Sequence, residues 1–302
     1  MPTTAVTLSP PRPFDLRLCL FGHGWVALAP HDWDEERHTF TTALAHGDGA
    51  IDVEVGETAG GDVEVRLGSR RKLSTGAAEA IAGQVAHMLR LDDDLTAFHA
   101  LCRKDQGLRW AARRGAGRML RSASAFEDLL KLLFTTNTTW SGTVAMTDKL
   151  VAACGVPAPS GRRAFPTPQT CPREVEFWRD RVKVGYRAEA AVRLVEAFAD
   201  GTLDDATFLG AGSAEQLWQR VTSLRGFGPY AAGQAMRLFG HYEALALDSW
   251  CRARFAELDG TKKPPSDRQI AARYEGFAPF QGLAMWLDLT AEWHSEKAIS
   301  RR

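Results

Sequence analysis

The chain has 302 residues, 45% of them hydrophobic and 25% charged, which is the composition of an ordinary globular protein of one large or two smaller domains. Its 37 basic and 37 acidic side chains balance, so any nucleic-acid-binding function requires cations concentrated on one face. Five scattered cysteines exclude a disulfide framework and favour reduced thiols in a cytoplasmic protein, and no apolar run reaches membrane-spanning length.

The first 91 residues have the pattern of a small antiparallel sheet covered by a helix. Residues 1–12 are small and proline-bearing, which is typical of a disordered lead-in. Short apolar or alternating runs between Gly, Asp and Pro turns predict five strands. These runs are residues 14–20, 25–29, 38–44, 50–55 and 63–67. Apolar side chains at helical intervals predict a helix over 75–91 that packs on the sheet.

From residue 92 onward the pattern is helical. The aspartates at 92–94 are suitable caps for a helix that continues to 114. Further helices are predicted at 124–136, 140–153, 173–181, 188–199, 214–222, 230–239, 249–258, 266–276 and 279–293. Residues 297–302 resemble a loose tail. We therefore predict an α+β protein with an N-terminal antiparallel α/β domain at 1–91 and a mainly helical domain at 92–302.

A basic stretch between 103 and 121 is a local exception to the neutral total. Seven basic side chains minus the single acid Asp105 leave an excess of six positive charges. The basic residues are Arg103, Lys104, Arg109, Arg113, Arg114, Arg118 and Arg121. Such a stretch is suited to nucleic acid, although a solvated helix face has the same composition.

The segment 224–240 combines a glycine turn with a helix. Gly226 and Gly228 bracket a tight turn, and Pro229 suits the first position of the helix that follows. Such a helix start presents free backbone N–H groups and the positive end of the helix dipole, which together bind phosphate. An ordinary helix–helix connection has the same turn signal. Asp248, which opens the next predicted helix, adds a carboxylate nearby in the chain.

The order Leu-x-Gly-x-Gly, apolar helix, Gly240 and Asp248 resembles the helix-hairpin-helix motif of the HhH-GPD superfamily of DNA glycosylases. The motifs GRMLR at 117–121, FE at 126–127 followed by TTN at 135–137, FPTPQ at 165–169 and GYRA at 185–188 are also similar. They follow the order found in the 8-oxoguanine and 3-methyladenine types. The resemblance covers most of residues 113–295, and the block at 1–91 is similar in pattern to the small α/β domain of those enzymes.

The resemblance implies a catalytic role for Asp248, whose carboxylate would stabilise positive charge on the sugar as the glycosidic bond breaks. A helix N-cap is the structural alternative for this residue, and both roles are compatible. Members that also cleave the DNA backbone have a Schiff-base lysine where this chain has Tyr230. We therefore expect a monofunctional glycosylase. The residues expected to hold the DNA strand at the hairpin are Leu224, Gly226, Phe227 and Gly228.

Three further positions match residues that the 8-oxoguanine type uses when it extrudes a base from the duplex. Asn137 would fill the vacated space, Tyr186 would wedge the neighbouring stack, and Arg187 would contact the unpaired partner base. The alternatives are a helix C-cap for Asn137, core packing for Tyr186, and a phosphate contact or surface ion pair for Arg187.

The residues of the base pocket differ from those of the 8-oxoguanine type more than the residues of the other motifs do. Gln234, Trp250 and Met285 stand where the resemblance implies a cysteine, a histidine and a base-reading glutamine. Tyr230 and Phe280 would complete a stacking surface, and Gly22 matches the backbone group that senses an oxidised base. Trp250 and Met285 are equally suited to a protein core. The expected substrate is a damaged purine, either oxidised or alkylated.

We therefore expect a hydrolase of base excision repair that acts as a monomer on double-stranded DNA, in the cytoplasm or on the nucleoid, without an obligate protein partner. No cofactor or metal is expected, because the eight histidines have no ligand spacing and only Cys251 follows Asp248, which excludes an iron-sulfur loop there. The competing hypothesis is a catalytically inactive helix-hairpin-helix protein that senses lesions or distortion. A binder of RNA or single strands is disfavoured, since no aromatic strand motif is present.

Overall fold

The computed structural model describes residues 2–210 and 212–294. The tail predicted at 297–302 lies outside the described residues. Helices account for about half of the chain, and one five-stranded antiparallel sheet occupies its N-terminal part, so the α+β prediction is confirmed. No helix of the described residues is both long and apolar enough to span a bilayer.

The sheet is a meander with its N-terminal strand added at one edge. Its strands are β1 Thr3–Leu8, β2 Asp32–Asp34, β3 Thr39–His46, β4 Gly49–Glu57 and β5 Val63–Gly68. Their order is β1-β5-β4-β3-β2, with every neighbouring pair antiparallel. Alternation buries Ile51, Val53 and Val55 on one face of β4, and this face packs on the helices.

Three predictions in the N-terminal part were wrong. The expected disordered lead-in is strand β1, because residues 3–8 alternate in burial and pair with β5 along their whole length. The strand expected at 14–20 is a helix, because the Asp15 carboxylate accepts the Leu18 N–H at 2.9 Å and caps it. The strand expected at 25–29 is the 3₁₀ turn Gly24–Ala27.

Thirteen α-helices are present in the described residues. They are α1 Leu16–Leu20, α2 Thr75–Met88, α3 Thr96–Lys104, α4 Arg109–Arg114, α5 Ala125–Thr135, α6 Trp140–Cys154, α7 Ala188–Ala199, α8 Asp205–Leu209, α9 Ala214–Ser223, α10 Pro229–Leu238, α11 Ser249–Leu258, α12 Asp267–Tyr274 and α13 Gln281–Thr290. The helix expected over 92–114 is interrupted because Asp105 accepts the N–H groups of Gly107 and Leu108, which forms a turn between α3 and α4. The helix expected at 173–181 is mainly a π-helical turn, Phe177–Val182, and α8 was not predicted.

Two large apolar clusters form most of the core, and a small third one joins Ala43 of the sheet to Ala158 and Ala164. The first joins the inner face of the sheet and α2 to helices α5 to α10, and the second joins α3 and α4 to helices α11 to α13. Both clusters take side chains from α1, so apolar packing crosses the boundary predicted at residue 91. The division into domains 1–91 and 92–302 stays a prediction.

Candidate active site

A cavity of about 570 Å³ lies where the two clusters meet. Its wall is formed by α1 and the Gly24–Ala27 turn, the α5–α6 loop, helix α10, the start of α11, helix α13 and the 3₁₀ turn Ala291–His294 that follows it. Four of the predicted site residues line it, namely Tyr230, Gln234, Asp248 and Trp250. Other lining residues were not predicted, among them Arg17, His23, Trp140, Arg237, Trp286 and Trp293.

Asp248 is both the N-cap of α11 and part of the cavity wall. Its Oδ1 accepts the Cys251 N–H at 2.7 Å, which anchors the carboxylate in the first turn of the helix. No protein donor within the described chain engages Oδ2, which leaves that oxygen available to a bound molecule. The N-cap interpretation is therefore confirmed, while a catalytic role for Asp248 stays a prediction.

Helix α10 connects the glycine turn to the cavity. Gly226 has φ +88° and Gly228 has φ −81°, and both are exposed to solvent. The N–H groups of Gly228, Tyr230 and Ala231 have no acceptor among the described residues, and Pro229 has none to offer. Side chains 230, 234 and 237 on the same helix line the cavity. One helix thus presents an open N-terminus at the surface and one wall of the cavity.

Burial and the charge of Asp248 shift the pKa values of polar side chains in this wall. Burial first, and then the negative charge of Asp248, raise the pKa of Tyr230, so its phenol is neutral at pH 7. Burial lowers the pKa of Arg237 to about 10, which still leaves the guanidinium charged. Burial also lowers the pKa of His23 to about 3, so that its neutral ring donates a hydrogen bond to the Leu120 carbonyl.

Three tryptophans form the aromatic side of the cavity. The ring of Trp250 lies 5.7 Å from that of Trp286 and 5.6 Å from that of Trp293, measured between centroids. The Arg237 guanidinium lies 4.8 Å from the centre of the Trp286 ring, in a cation–π contact. A fourth tryptophan, the exposed Trp140, lines the cavity where it packs against Gly24.

Three predicted pocket residues do not line this cavity. Met285 is fully buried in the second core cluster, because residues adjacent on a helix point about 100° apart and its neighbour Trp286 takes the cavity side. Phe280 packs against Phe98 and Tyr242, with centroids 5.5 and 6.0 Å away. Gly22 lies behind the wall, where its carbonyl accepts the Trp286 Nε1–H at 2.7 Å.

The residues predicted to act on the duplex lie together beside the cavity. Asn137 has φ +43° in the α5–α6 loop, where its neighbour Thr138 lines the cavity. The Asn137 Nδ2 donates to the Tyr186 hydroxyl at 3.2 Å, and Tyr186 is 66% exposed, which excludes the core-packing alternative. Arg187 is only 6% exposed, and its guanidinium donates to the hydroxyl and carbonyl of Thr136. The alternative of a surface ion pair is therefore wrong, whereas contact of Arg187 with the partner base stays a prediction.

Two other predicted surface features are partly internal. The Phe227 side chain is buried in the first core cluster, so only its backbone faces the hairpin surface. In the basic stretch, Arg118 donates to the carbonyls of Arg90 and Asp93, and Arg121 donates to that of His87. Arg114 pairs with Asp15. The exposed members are Arg103, Lys104, Arg109 and Arg113.

One sequence signal could have identified Arg237. Residues 230, 234 and 237 have the spacing i, i+4, i+7, which places them on one face of a helix. The tryptophans at 286 and 293 also have a seven-residue spacing. Within the described residues no group of three or more His, Cys, Asp or Glu side chains is arranged to hold a metal ion.

Comparison with family models and with curated proteins finds no match. Among solved structures, the chain is similar to the 3-methyladenine DNA glycosylase from Archaeoglobus fulgidus, with 18% identity, a TM-score of 0.73, and coverage of 97% of this chain and 99% of that one. It is similar to the apo form of the Clostridium acetobutylicum 8-oxoguanine glycosylase/lyase, with 17% identity, a TM-score of 0.70, and coverage of 94% and 95%. The complex of that enzyme with double-stranded DNA matches with a TM-score of 0.63 and 15% identity, over 90% and 92%. The chain shares their fold, so the resemblance stated from the motifs is confirmed at the level of fold.

Proposed function

We propose that this chain, which shares the fold of DNA glycosylases, is itself a DNA glycosylase of base excision repair. It would extrude a damaged purine, oxidised or alkylated, from double-stranded DNA and hydrolyse its N-glycosidic bond, acting as a monomer without a cofactor. One observation carries the proposal: an aspartate and the open N-terminus of α10 border the same cavity.

The cavity suits an extruded base in size and in chemistry. Its volume lies within the range of about 300–1,000 Å³ that is usual for small-molecule sites. The Trp250, Trp286 and Trp293 rings offer faces and edges on which a planar base can stack. Asp248 stands on the same wall as these rings, so a stacked base would bring its sugar toward the carboxylate.

The proposed reaction uses Asp248 and water. As the bond between base and sugar weakens, positive charge develops on the sugar ring, and a nearby carboxylate stabilises it. The hydrogen bond from Cys251 holds Oδ1, while Oδ2 is available to orient a water molecule toward the sugar carbon. Water attacks that carbon and gives up one proton, and the base leaves with the bonding electrons and takes up a proton in turn. The products are a free base and an abasic site.

Backbone amides would place the duplex. The unpaired N–H groups of Gly228, Tyr230 and Ala231 point out of an exposed helix start, where a phosphate binds without reading sequence. Tyr230 follows Gly228 by two residues and lines the cavity, so the anchored strand would pass beside the cavity mouth. Asn137 and Tyr186, joined by a hydrogen bond, are exposed next to the mouth and would occupy the gap left by the base.

The absence of a suitable amine favours hydrolysis without strand cleavage. Tyr230 stands where the lyases of this superfamily have the Schiff-base lysine, and none of the described cavity-lining residues is a lysine. The proposed enzyme is therefore monofunctional, unlike the glycosylase/lyase that shares its fold.

The test uses a panel of duplexes that each carry one lesion, incubated with the protein and then treated with hot alkali. We expect strand breaks only after alkali, and none with Asp248→Asn. Breaks without alkali would overturn the monofunctional assignment, and full activity in Asp248→Asn would overturn the chemistry. Lesion-specific binding without excision would support the competing hypothesis of a catalytically inactive lesion sensor.

A further inference from the structure

A buried arginine on the cavity wall has an incomplete set of partners. Arg237 is only 3% exposed, yet no acceptor within the described chain engages its Nε–H. Its Nη1 donates to Gln234 Oε1 at 3.2 Å, and its Nη2 lies 3.4 Å from the Leu245 carbonyl. A guanidinium carries five donors, so this side chain is not saturated by the protein. Burial of an unsatisfied donor is unfavourable, and this one belongs to a side chain that lines the cavity.

The same arginine sets the orientation of the Gln234 amide. A guanidinium donates hydrogen bonds and accepts none, and at a pKa of about 10 it keeps this character at neutral pH. The amide oxygen of Gln234 must therefore face Arg237, while the Nε2 amino group has no partner within the described residues. Gln234 is half-buried and lines the cavity, so its two remaining donors are available to a molecule inside.

We propose that Gln234, oriented by Arg237, is a specificity-determining residue that selects a purine with a carbonyl oxygen at C6 over a purine with an amino group there. The inference rests on the proposed glycosylase function. Gln234 is the group that touches the base, and Arg237 is a positioning residue that also supplies the local positive potential.

The hydrogen-bonding edges of the purines differ at C6. Guanine and other 6-oxopurines present an acceptor oxygen at C6, whereas adenine presents an amino donor at C6. A freely rotating glutamine pairs well with adenine through its oxygen and its amino group together. Because Arg237 donates to that oxygen, the amide no longer rotates freely, and the Nε2 donors of Gln234 are the groups left without a protein partner to meet the C6 position. An amino group at C6 would then face a donor and lose the hydrogen bond that it makes in water.

The test uses duplexes that carry 8-oxohypoxanthine or 8-oxoadenine, which differ in the C6 substituent and in the protonation of N1 that follows from it, together with the matching pair hypoxanthine and adenine. Two quantities are measured: single-turnover excision by the wild-type protein, and equilibrium binding by Asp248→Asn, which removes turnover. We expect a preference of about tenfold or more for the 6-oxo member of a pair in at least one readout.

Variants then connect the preference to the two residues. Gln234→Glu keeps a partner for Arg237 but offers only acceptors, so the ratio should collapse or reverse. Arg237→Met should bring the ratio close to one, and Arg237→Lys, which keeps a donor-only cation, should restore part of it. Gln84→Glu places the same charge change on the exposed surface of α2 and should leave the ratio unchanged. Thermal unfolding checks that each variant is folded.

The outcomes separate this inference from the proposed function. Equal treatment of the two members in both readouts, or a preference that survives Gln234→Glu, would overturn the role of Gln234. Excision without a C6 preference would leave the glycosylase in place and remove only this inference. A C6 preference in binding, without excision of any duplex, would support the role of Gln234 and refute the proposed glycosylase chemistry.

Discussion

The two glycines of the hairpin turn allow the effect of a substitution on folding to be separated from its effect on the proposed DNA binding. At Gly226, φ is +88°, and an added Cβ would lie 2.9 Å from Leu133 Cδ1 and 3.2 Å from Ala190 Cβ. At Gly228, φ is −81°, and an added Cβ would meet no atom within 4 Å. The first glycine is required by the fold, whereas the free protein has room for a side chain at the second.

The magnitudes follow from these environments. Gly226→Ala combines left-handed strain of about 1–2 kcal/mol with an overpacking cost of similar size, so we expect a loss of about 2–4 kcal/mol in the free energy of unfolding. Gly228→Ala loses a favourable N-cap residue but reduces the entropy of the unfolded chain, and these opposing effects leave a net change within about 0.5 kcal/mol. Its new methyl group occupies the space where a phosphate would approach the free N–H groups. Loss of one charge-assisted hydrogen bond corresponds to a decrease in DNA affinity of about tenfold to a hundredfold.

Urea denaturation measures the first quantity, and fluorescence anisotropy with a labelled duplex at fixed salt measures the second. The decisive result is a Gly228→Ala variant that is as stable as the wild type and binds DNA weakly. Wild-type affinity in this variant would refute the assignment of the hairpin as the anchor. Wild-type stability in Gly226→Ala would refute the steric reasoning.

Three further predictions concern the site and the core. Asp248→Asn keeps the helix cap and should lower excision by about 10²–10⁴-fold with unchanged stability, whereas Asp248→Ala should also lose about 1 kcal/mol in urea denaturation. Lys131 is fully buried and pairs with Glu127 at 2.6 Å, so Lys131→Met should cost about 3–5 kcal/mol by the same measurement. Much of this loss should return when Glu127→Gln is added, because the uncompensated buried charge is then removed. Burial lowers the pKa of His294 to about 4. Below pH 6.5 this histidine is therefore protonated in the unfolded chain but still neutral in the folded protein, so the free energy of unfolding falls as the pH decreases. Between pH 7 and pH 5 the wild type should lose about 2 kcal/mol more than His294→Phe, and equal losses would show that this histidine titrates normally.

Local signals in the sequence predicted many of the elements well. Helix α11 has the predicted bounds, and α10 begins and ends within one residue of the prediction. Ser74, Ser124, Ser213 and Ser266 each cap a helix close to the predicted start. These signals work because a cap, a proline at the first helical position and the apolar period act within a few residues.

The errors occurred where contacts distant in the chain outweigh local preference. Residues 3–8 become a strand because β5, some 60 residues away in the chain, supplies their hydrogen-bond partners. Residues 14–20 alternate like a strand, but their leucines enter both core clusters as a short capped helix. The spacing of apolar residues alone does not distinguish a strand from a short helix here, since the free energy that stabilises either one comes from burial against other elements.

For the candidate site, the sequence by itself determined the chemical groups and their local geometry: the glycine turn, the proline at the helix start, Asp248 as a cap, and a tyrosine in place of a lysine. Only the tertiary structure decided which side chains meet. It turned Trp286 rather than Met285 toward the cavity, buried Arg187 against Thr136, and placed Arg237 where it orients Gln234. The physical reason is the range of the forces involved. Turns and caps are satisfied by neighbouring backbone groups, whereas the facing of a helix and the desolvation of a charge depend on elements packed from distant parts of the chain.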